Sequence, residues 1–376
     1  MIPSAMLGGM DDTSTTPARD DHGSDSAASG DRIRALLADH AAGSRFSGVC
    51  LVTRGDETLV HEAHGLAHRG FGVPNTVHTR FDIASVTKVF TAAAILQLIE
   101  AGAITLDTTV MPFIGVSGTR IADDVTVFHC LTHTSGIADD ADEEAGEVYE
   151  DLFVDRPNYA IRETADFLPQ FANKDPVFAP GRGVRYNNCA FVLLGLVIER
   201  ATGMSYRDYV REHVFARAGM TGADFCAMDG VHQDMAEHYK RIDHDGDRVE
   251  WRKNIYSYPP IGSPDGGATV TALDLERFTR AVTSGRLMGA SESQLFQRPH
   301  VLVRQGQDDR LMNGFAFEFR VALDGQVRRM HKEGANAGVS SLLVRYPPND
   351  LTVILLANIE CDVWGILREI ESLLPV

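Results

Sequence analysis

The sequence predicts a mixed α/β protein of the α+β type, in which helices flank an antiparallel sheet and a mainly helical subdomain is inserted. Three observations predict this class. Short alternating apolar segments bounded by turn residues occur near residue 50 and again between residues 315 and 358. The segments between them carry apolar residues at the three- and four-residue spacing of helices. Finally, a chain of 376 residues is longer than one hydrophobic core usually serves.

The first part of the chain predicts a leader, a helix and a hairpin, in that order. Residues 1–30 are rich in Ser, Thr, Asp, Ala and Gly, which predicts a disordered leader. They contain neither a basic segment nor a long apolar core, and so they do not have the pattern of an export signal. A helix is predicted over residues 31–40. Strands are predicted over residues 48–52 and 58–62, joined by a turn over residues 54–57.

A long apolar helix is predicted over residues 86–100, and blocks of helices and strands follow it. The later helices are predicted over residues 124–131, 164–171, 190–202, 206–218 and 272–284. The strands are predicted over residues 315–321, 327–331, 338–346 and 351–358, before a closing helix over residues 363–374. This order predicts a sheet subdomain of residues 31–104 and 271–376, with a mainly helical subdomain of residues 105–270 between them.

Charge and cysteine content exclude several classes of function. The net charge of −17 disfavours nucleic acids and anionic membranes as partners. No apolar run in the sequence has the length of a bilayer-spanning helix. The odd number of widely spaced cysteines favours reduced thiols over disulfides or a zinc site. Together with the lack of an export signal, this predicts a cytoplasmic protein. The cysteines are Cys50, Cys130, Cys189, Cys226 and Cys361.

The peptide Ser85-Val86-Thr87-Lys88 stands at the start of the long apolar helix and carries the first chemical signal. Residues three apart on a helix share a face, so the Lys88 amine can lie against the Ser85 hydroxyl. A serine hydroxyl becomes a good nucleophile when a neighbouring base takes its proton. A lysine acts as that base if burial or nearby positive charge lowers its pKa. The alternative is that Ser85 caps the helix and Lys88 is exposed.

A second signal lies in the loop over residues 180–188, which leads into a predicted helix. Tyr186 and Asn188 place a phenol and an amide two residues apart. A phenol near lysine ammonium groups can have its pKa lowered enough to transfer protons. The amide can hold a substrate carbonyl or position Lys88. The alternative is that Asn187 or Asn188 caps the helix while Tyr186 packs on the loop.

The third signal lies on a strand near the C-terminus, where Lys332 is followed two positions later by Gly334. Positions two apart on a strand face the same side, so the cation and the bare glycine backbone face one ligand. A backbone N–H there, paired with the Ser85 N–H, can form an oxyanion hole. The alternative is a surface strand on which Lys332 is exposed.

Each of the three signals occurs once, in the order Ser-x-x-Lys, Tyr-x-Asn and Lys-x-Gly. In this order they resemble the penicillin-recognising serine hydrolases, and among them the branch of class C β-lactamases, DD-peptidases, D-aminopeptidases and family VIII carboxylesterases. Two further segments match motifs of that family: Leu-Thr-His-Thr-Ser-Gly over residues 131–136 and Ser-Pro-Asp-Gly-Gly over residues 263–267. The resemblance covers the chain from about residue 31 onward. It implies the fold of β-lactamases and penicillin-binding proteins.

The resemblance also implies a role for each matching residue. Ser85 would be the acylated nucleophile, and Lys88 would help to deprotonate it. Tyr186 would act as a general base and then as an acid toward the leaving group. Substrate binding would fall to Asn188, Lys332, Gly334 and Ala335. The N–H groups of Ala335 and Ser85 would form the oxyanion hole. The resemblance implies neither a metal ion nor an organic cofactor.

Glu333 departs from the family pattern, in which a threonine usually stands between the lysine and the glycine. If Glu333 faces the cleft, its charge repels the carboxylate of a β-lactam or D-Ala-D-Ala substrate. Strand alternation would instead turn Glu333 away from the cleft, beside His331. In both cases the departure favours a neutral ester or amide as the natural substrate.

We therefore expect a serine hydrolase that works through a Ser85 acyl-enzyme, with carboxylic esters as its favoured substrates. The alternative on the same fold is amide chemistry, as in D-aminopeptidases, weak β-lactamases or acyl transferases. A second alternative is a catalytically silent binding or scaffold protein. The expected partner is a small-molecule ester or amide, and the oligomeric state stays open. The acidic segment of residues 139–151 is interpreted as a solvated loop rather than a border of the cleft.

Overall fold

A computed structural model of the protein describes residues 22–142, 145–245 and 248–374. The α-helices are α1 (His22–Ala42), α2 (Lys88–Glu100), α3 (Val110–Ile114), α4 (Val127–Leu131), α5 (Leu152–Asp155), α6 (Leu168–Phe171), α7 (Cys189–Thr202), α8 (Tyr206–Tyr209), α9 (Ala216–Ala218), α10 (Ala272–Thr283), α11 (Ala290–Phe296) and α12 (Val363–Leu373). The strands are β1 (Gly48–Arg54), β2 (Glu57–His64), β3 (Leu66–His68), β4 (Val73–Pro74), β5 (Phe81–Asp82), β6 (Tyr239–Asp243), β7 (Val249–Lys253), β8 (Thr269–Val270), β9 (Val301–Gln305), β10 (Asp309–Asn313), β11 (Glu318–Ala322), β12 (Val327–Asn336), β13 (Val339–Tyr346) and β14 (Leu351–Ala357).

Eight strands form one antiparallel sheet in the order β2-β1-β14-β13-β12-β11-β10-β9. The two ends of the chain meet in this sheet, because β1 pairs with β14 from Gly48↔Ala357 to Arg54↔Leu351. The hairpin β1–β2 forms the edge beyond it, with an irregular register between Val52 and Thr53. An antiparallel sheet built from both ends of the chain and flanked by helices, as the sequence predicts, is therefore confirmed.

The two faces of the sheet pack in separate apolar cores. Along β13, Leu342 and Val344 pack with residues of α1 and α12, whereas Leu343 packs in the larger core that contains α2 and α7. This alternation follows from the two-residue period of a strand. Because helices cover both faces, β13 and β14 are buried on both sides and have nearly continuous apolar sequences. The larger core positions α2, whose first turn carries the predicted nucleophile.

Several element boundaries differ from the sequence predictions. α1 begins inside the predicted leader, so residues 22–30 are helical, while residues 1–21 lie outside the described residues. The predicted helix over residues 206–218 is divided by a π-helix, Val210–Phe215. β9 and β10 are not predicted by the sequence, since neither Val-Leu-Val-Arg-Gln nor Asp-Arg-Leu-Met-Asn alternates apolar and polar residues. β11 begins later than predicted, because Ala316 adopts a φ of 66° and turns the chain.

Within the described residues, no single helix is long and apolar enough to cross a membrane. The consecutive segments Cys189–Thr202 and Tyr206–Ala218 together have the length and composition of a span, but they are bent by 78° at their junction. The first of these segments, α7, is largely buried in the core beside α2.

Candidate active site

Ser85 lies on a strained turn between β5 and α2. The 3₁₀-helix Ala84–Thr87 runs directly into α2 at Lys88. Ala84 has a φ of 42°, in the left-handed region that alanine rarely adopts. The Ala84 N–H donates to the Asp82 carboxylate at 2.7 Å, and the Ala84 carbonyl accepts the Gly267 N–H at 3.3 Å. These bonds hold the turn and place Ser85 at the head of the apolar helix.

The Lys88 amine lies beside Ser85 and is fully buried. Its Nζ is 3.0 Å from Ser85 Oγ, 2.7 Å from Asn188 Oδ1 and 2.6 Å from the Asp265 carbonyl oxygen. The last two oxygens can only accept, so they take two of the Nζ protons. The third Nζ position faces Ser85: a neutral amine accepts the Ser85 proton there, and an ammonium donates to Oγ. The geometry therefore fits proton transfer from Ser85 to Lys88 and excludes the alternative of an exposed Lys88.

Tyr186 also contacts Ser85, and its phenol O–H donates to Ser85 Oγ at 2.7 Å. The Nζ atoms of Lys332 and Lys88 lie 4.6 and 5.1 Å from the centre of the Tyr186 ring. Burial nevertheless raises the pKa of Tyr186 to about 12, and the Lys332 charge offsets only part of this rise. The prediction of a lowered Tyr186 pKa is therefore wrong, because desolvation of the phenolate outweighs the attraction of the cations.

Strand β12 packs against the nucleophile turn through Gly334. A Cβ added to Gly334 would lie 2.1 Å from the Ile83 carbonyl oxygen and 3.1 Å from Ser85 N. Only glycine therefore allows the strand to approach so closely. β11 pairs with β12 only as far as His331, so the later β12 backbone extends past its neighbour along the cleft. Ala335 and Ser85 both line this cleft, and the oxyanion hole formed by their N–H groups stays a prediction.

The pairing of β12 with β13 decides where Lys332 and Glu333 point. Lys332 lies opposite Leu343, on the sheet face that carries α2, and it is buried there. Glu333 lies opposite Leu342, on the face that carries α12, and its carboxylate accepts the Trp364 indole N–H at 2.8 Å. Strand alternation therefore turns the Glu333 side chain away from the nucleophile, as one of the two sequence interpretations holds. The alternative of an exposed Lys332 is wrong.

The two asparagines before α7 have different contacts. Asn188 Oδ1 accepts the hydrogen bond from Lys88, in agreement with its predicted positioning role. Asn187 Oδ1 accepts a backbone N–H of the first turn of α7 at 2.7 Å, which confirms the capping alternative for that residue. Asp139 accepts the backbone N–H groups of Asn188 and Cys189, at 2.9 and 3.0 Å. The sequence analysis does not identify Asp139 as a site residue, since it stands 49 residues before Asn188 in the chain.

His133 is a second residue that the sequence analysis does not assign to the site. Its carbonyl oxygen accepts the Arg185 N–H at 3.0 Å, and its Nδ1 accepts the Asn187 N–H at 3.2 Å. Between these two bonds, the imidazole packs on the Tyr186 ring with 4.7 Å between ring centres. Burial and two nearby lysine charges lower the pKa of His133 well below its usual value, so Nδ1 remains an acceptor. Its place in the Leu-Thr-His-Thr-Ser-Gly segment is the sequence signal that marks it.

The first residues of the acidic segment belong to the site, so the interpretation of residues 139–151 as a solvated loop is wrong there. Asp140 is buried, and burial together with two neighbouring carboxylates raises its pKa well above the usual value. Asp142 forms an ion pair with Arg185 at 2.6 Å, and Arg185 directly precedes Tyr186 in the chain. Residues 143–144 lie outside the described residues. The segment therefore braces the loop that carries the tyrosine.

Asp139, Asp140 and Cys189 form the one group of potential metal ligands found in the described parts of the chain, with ligand atoms within 4.8 Å of one another. Hydrogen bonds and protons account for this arrangement. Asp139 accepts two backbone N–H groups, burial and two neighbouring carboxylates raise the pKa of Asp140 and so favour its neutral form, and burial raises the pKa of the Cys189 thiol. A metal ion would have to displace these bonds and protons, so the group does not indicate a metal site.

The site lies in a cleft of about 910 Å³. Ser85, Tyr186 and Asn188 line its inner end, beside Lys332. Glu318 and Glu333 line the wall formed by β11 and β12. The loops around residues 226–236 and 255–262 form the outer wall. The cleft thus leads from solvent to a serine hydroxyl that is in contact with an amine and a phenol, which is the arrangement of an activated nucleophile.

Comparison with known proteins gives consistent matches. A family model described as Beta-lactamase matches residues 33–362. Penicillin-binding protein 4* of Bacillus subtilis (strain 168) is 27% identical over 350 residues, which cover 88% of this chain and 72% of that protein. Esterase EstB of Burkholderia gladioli is 36% identical over 189 residues, 48% of this chain and 47% of the esterase. The crystal structure of a penicillin-binding protein from Bacillus halodurans superposes with a TM-score of 0.83 at 35% identity, covering 91% of this chain and 100% of that one.

Proposed function

The chain belongs to the Beta-lactamase family and is a serine hydrolase, and on that premise we propose that it hydrolyses uncharged carboxylic esters. The direction of Glu333 carries this proposal. Glu333 stands where the penicillin-recognising serine hydrolases usually have a threonine that helps to hold a substrate carboxylate, and its own carboxylate accepts the Trp364 indole N–H on the far face of the sheet. Glu318 lies opposite His331, on that same far face. β12 therefore provides no hydroxyl beside Lys332 to bind a substrate carboxylate, whereas a neutral ester needs none.

In the proposed acylation step, two protons move. The Lys88 amine takes the Ser85 proton as Oγ attacks the ester carbonyl carbon. The N–H groups of Ser85 and Ala335 donate to the oxyanion that forms. Tyr186 is a phenol at neutral pH because its pKa is raised, and it gives its proton to the departing alkoxide as the C–O bond breaks. The ammonium groups of Lys332 and Lys88 stabilise the phenolate that remains.

Deacylation returns both protons. The Tyr186 phenolate takes a proton from water, and the hydroxide attacks the acyl carbon. The Lys88 ammonium then gives its proton to Ser85 Oγ as the acyl bond breaks. One ester and one water become one acid and one alcohol, and the three side chains recover their resting protonation states. If an alcohol or amine replaces water, the same steps transfer the acyl group.

The proposal is tested with p-nitrophenyl acetate and butyrate, using the wild-type chain and Ser85→Ala, with nitrocefin measured in parallel. We expect ester turnover that disappears in Ser85→Ala, together with little nitrocefin cleavage. Ester turnover that persists in Ser85→Ala would contradict the proposed nucleophile. An absence of turnover by the wild-type chain would contradict the ester proposal and favour a narrow amide substrate or the silent binding protein.

Amide chemistry is the second candidate, and the similarity to penicillin-binding proteins favours it. The Bacillus subtilis and Bacillus halodurans proteins carry this name and match most of the chain. On this alternative, Ser85 opens a β-lactam or cleaves an amide through the same acyl-enzyme. Nitrocefin turnover faster than ester turnover, or stable labelling of Ser85 by a fluorescent penicillin, would favour this candidate over the ester.

A further inference from the structure

The outer end of the cleft has an apolar rim, which we define as Phe71, Met228, Val231 and Ile255. All four side chains line the same cleft as Ser85. Phe71 is 83% exposed and Val231 is 102% exposed, and Ile255 and Met228 are 43% and 36% exposed. Side chains this exposed contribute little to the protein's own packing. A cluster of them at the mouth of a catalytic cleft indicates a surface that contacts a ligand.

Hydrogen bonds hold two residues of the apolar rim, Phe71 and Met228, in place. The Phe71 N–H donates to His68 Nδ1 at 3.1 Å, and the Phe71 ring packs on the His68 imidazole with 4.5 Å between ring centres. The Met228 N–H donates to the Pro260 carbonyl oxygen at 2.7 Å, which joins the two outer loops of the cleft. Phe71 and Met228 are therefore exposed on segments that are already held by hydrogen bonds, and a ligand need not order these segments when it binds.

Charged groups beside the rim are paired with one another. Glu237 lines the cleft and pairs with Lys253 and with His68, the latter at 3.2 Å. The Tyr239 phenol also donates to Glu237 at 2.6 Å. Because these groups satisfy each other, the outer wall attracts neither a strong cation nor a strong anion. Its exposed apolar surface is what remains for a ligand to contact.

We infer that the apolar rim binds an extended apolar chain of the ester, so that the preferred substrates are esters of medium-length aliphatic or aromatic groups. This inference rests on the proposed function. The cleft is continuous from Ser85 to the rim, so a chain attached to the reacting ester can extend along it. Each methylene of the chain that leaves water on the rim increases binding in the transition state.

The test is the dependence of kcat/KM on chain length, with p-nitrophenyl esters from acetate to octanoate below their aggregation limits. Acetates of ethyl to octyl alcohols test the leaving-group side in the same way. Each methylene that is fully buried raises kcat/KM by about fourfold, and each methylene on a half-exposed rim should raise kcat/KM by about twofold. We therefore expect a rise of about 50-fold from acetate to octanoate, or a similar rise in the alcohol series.

Matched variants tie the effect to the rim. Phe71→Ser and Val231→Ser should each lower the ratio of kcat/KM for the long ester to that for the short ester by about fivefold. Leu323→Ser is the control, since Leu323 is 50% exposed and does not line the cleft, and it should leave the ratio unchanged. All three positions are exposed, so the substitutions spare the core.

Three results would overturn the inference. One is a flat chain-length profile in both series while Ser85-dependent ester turnover continues, which leaves the proposed function intact. Another is a steep profile that Phe71→Ser and Val231→Ser do not change. The third is a change of oligomeric state in these variants without a change of ratio, which would make the rim an interface between copies of the chain. Loss of all Ser85-dependent ester turnover would instead reject the proposed function itself.

Discussion

Removing the His133 side chain should impair catalysis by releasing Tyr186. His133 contacts three successive residues: its carbonyl oxygen bonds Arg185, its ring packs on Tyr186, and its Nδ1 bonds Asn187. His133 also has a φ of 59°, a left-handed conformation that asparagine adopts more readily than alanine. Comparing His133→Ala with His133→Asn therefore separates the contribution of the Nδ1 hydrogen bond from that of the ring. The Asn Oδ1 can replace Nδ1 as an acceptor, while the ring is lost in both variants.

The magnitudes follow from these contacts. His133→Ala leaves the buried Asn187 N–H without its acceptor, which costs about 1–3 kcal/mol. The lost ring contact with Tyr186 costs about 0.5–1.5 kcal/mol, and alanine in the left-handed region costs about 1 kcal/mol more. We expect a loss of about 3–5 kcal/mol in unfolding free energy for His133→Ala and about 1–2 kcal/mol for His133→Asn.

The expected catalytic effect is on kcat. A displacement of the Tyr186 phenol by about 1 Å can cost about 100-fold in rate. With p-nitrophenyl butyrate, His133→Ala should lower kcat by about 10- to 100-fold, change KM by less than about threefold, and shift the alkaline limb of the pH–rate profile. His133→Asn should recover most of the lost kcat. Rates are compared at a temperature where denaturant titration shows each variant folded.

His213→Ala is the matched control, because His213 packs on Tyr209 with 4.5 Å between ring centres, much as His133 packs on Tyr186. It should lose stability without losing kcat. If His133→Ala kept the wild-type kcat and pH profile, the reasoning would be refuted. It would also be refuted if His133→Asn were as slow as His133→Ala while His213→Ala remained fully active.

Two further predictions concern the turn that carries the nucleophile. Gly334→Ala should lower kcat by about 100-fold, because the new Cβ would lie 2.1 Å from the Ile83 carbonyl oxygen. Gly43→Ala is the control and should keep the wild-type kcat, because the added Cβ meets only the flexible Arg45 side chain, at 3.0 Å. Equal kcat values for the two variants would contradict this prediction. Burial raises the pKa of Asp82 from 3.8 to about 6, so its contribution to stability is present below pH 4 and is lost as the pH rises through 6. Relative to Asp82→Asn, the wild-type unfolding free energy in urea should therefore fall by about 2.5 kcal/mol between pH 4 and pH 7.5, and a constant difference would show that the Asp82 pKa is not raised.

The catalytic elements were predictable from the sequence where the signal is local. The three-residue spacing of Ser85 and Lys88 at the start of an apolar helix predicts their contact, which the structure shows at 3.0 Å. The two-residue spacing of Lys332 and Gly334 predicts that both face one side of a strand, and the structure places both against the site. Apolar alternation likewise predicts the central strands, whereas β9 and β10 at one end of the sheet lack this alternation and are not predicted.

Residues that act through long-range contacts were not predictable in this way. Asp139 and His133 contact the loop before α7 from about 50 residues away, and neither spacing nor alternation connects such distant positions. The direction of Glu333 depended on whether β12 paired with β13 in one register or the next. A shift of one residue would have exchanged the two faces.

The sequence by itself thus determined the contact between Ser85 and Lys88 and the class of fold, because helix and strand periods are local properties of the chain. The tertiary structure alone decided the protonation state of Tyr186, in which desolvation opposes the charge of Lys332. The balance between these effects depends on how many atoms surround the phenol and how far the Lys332 ammonium lies from it. Both quantities exist only after residues 88, 186 and 332 have been brought together by the packing of α2, the loop before α7 and β12.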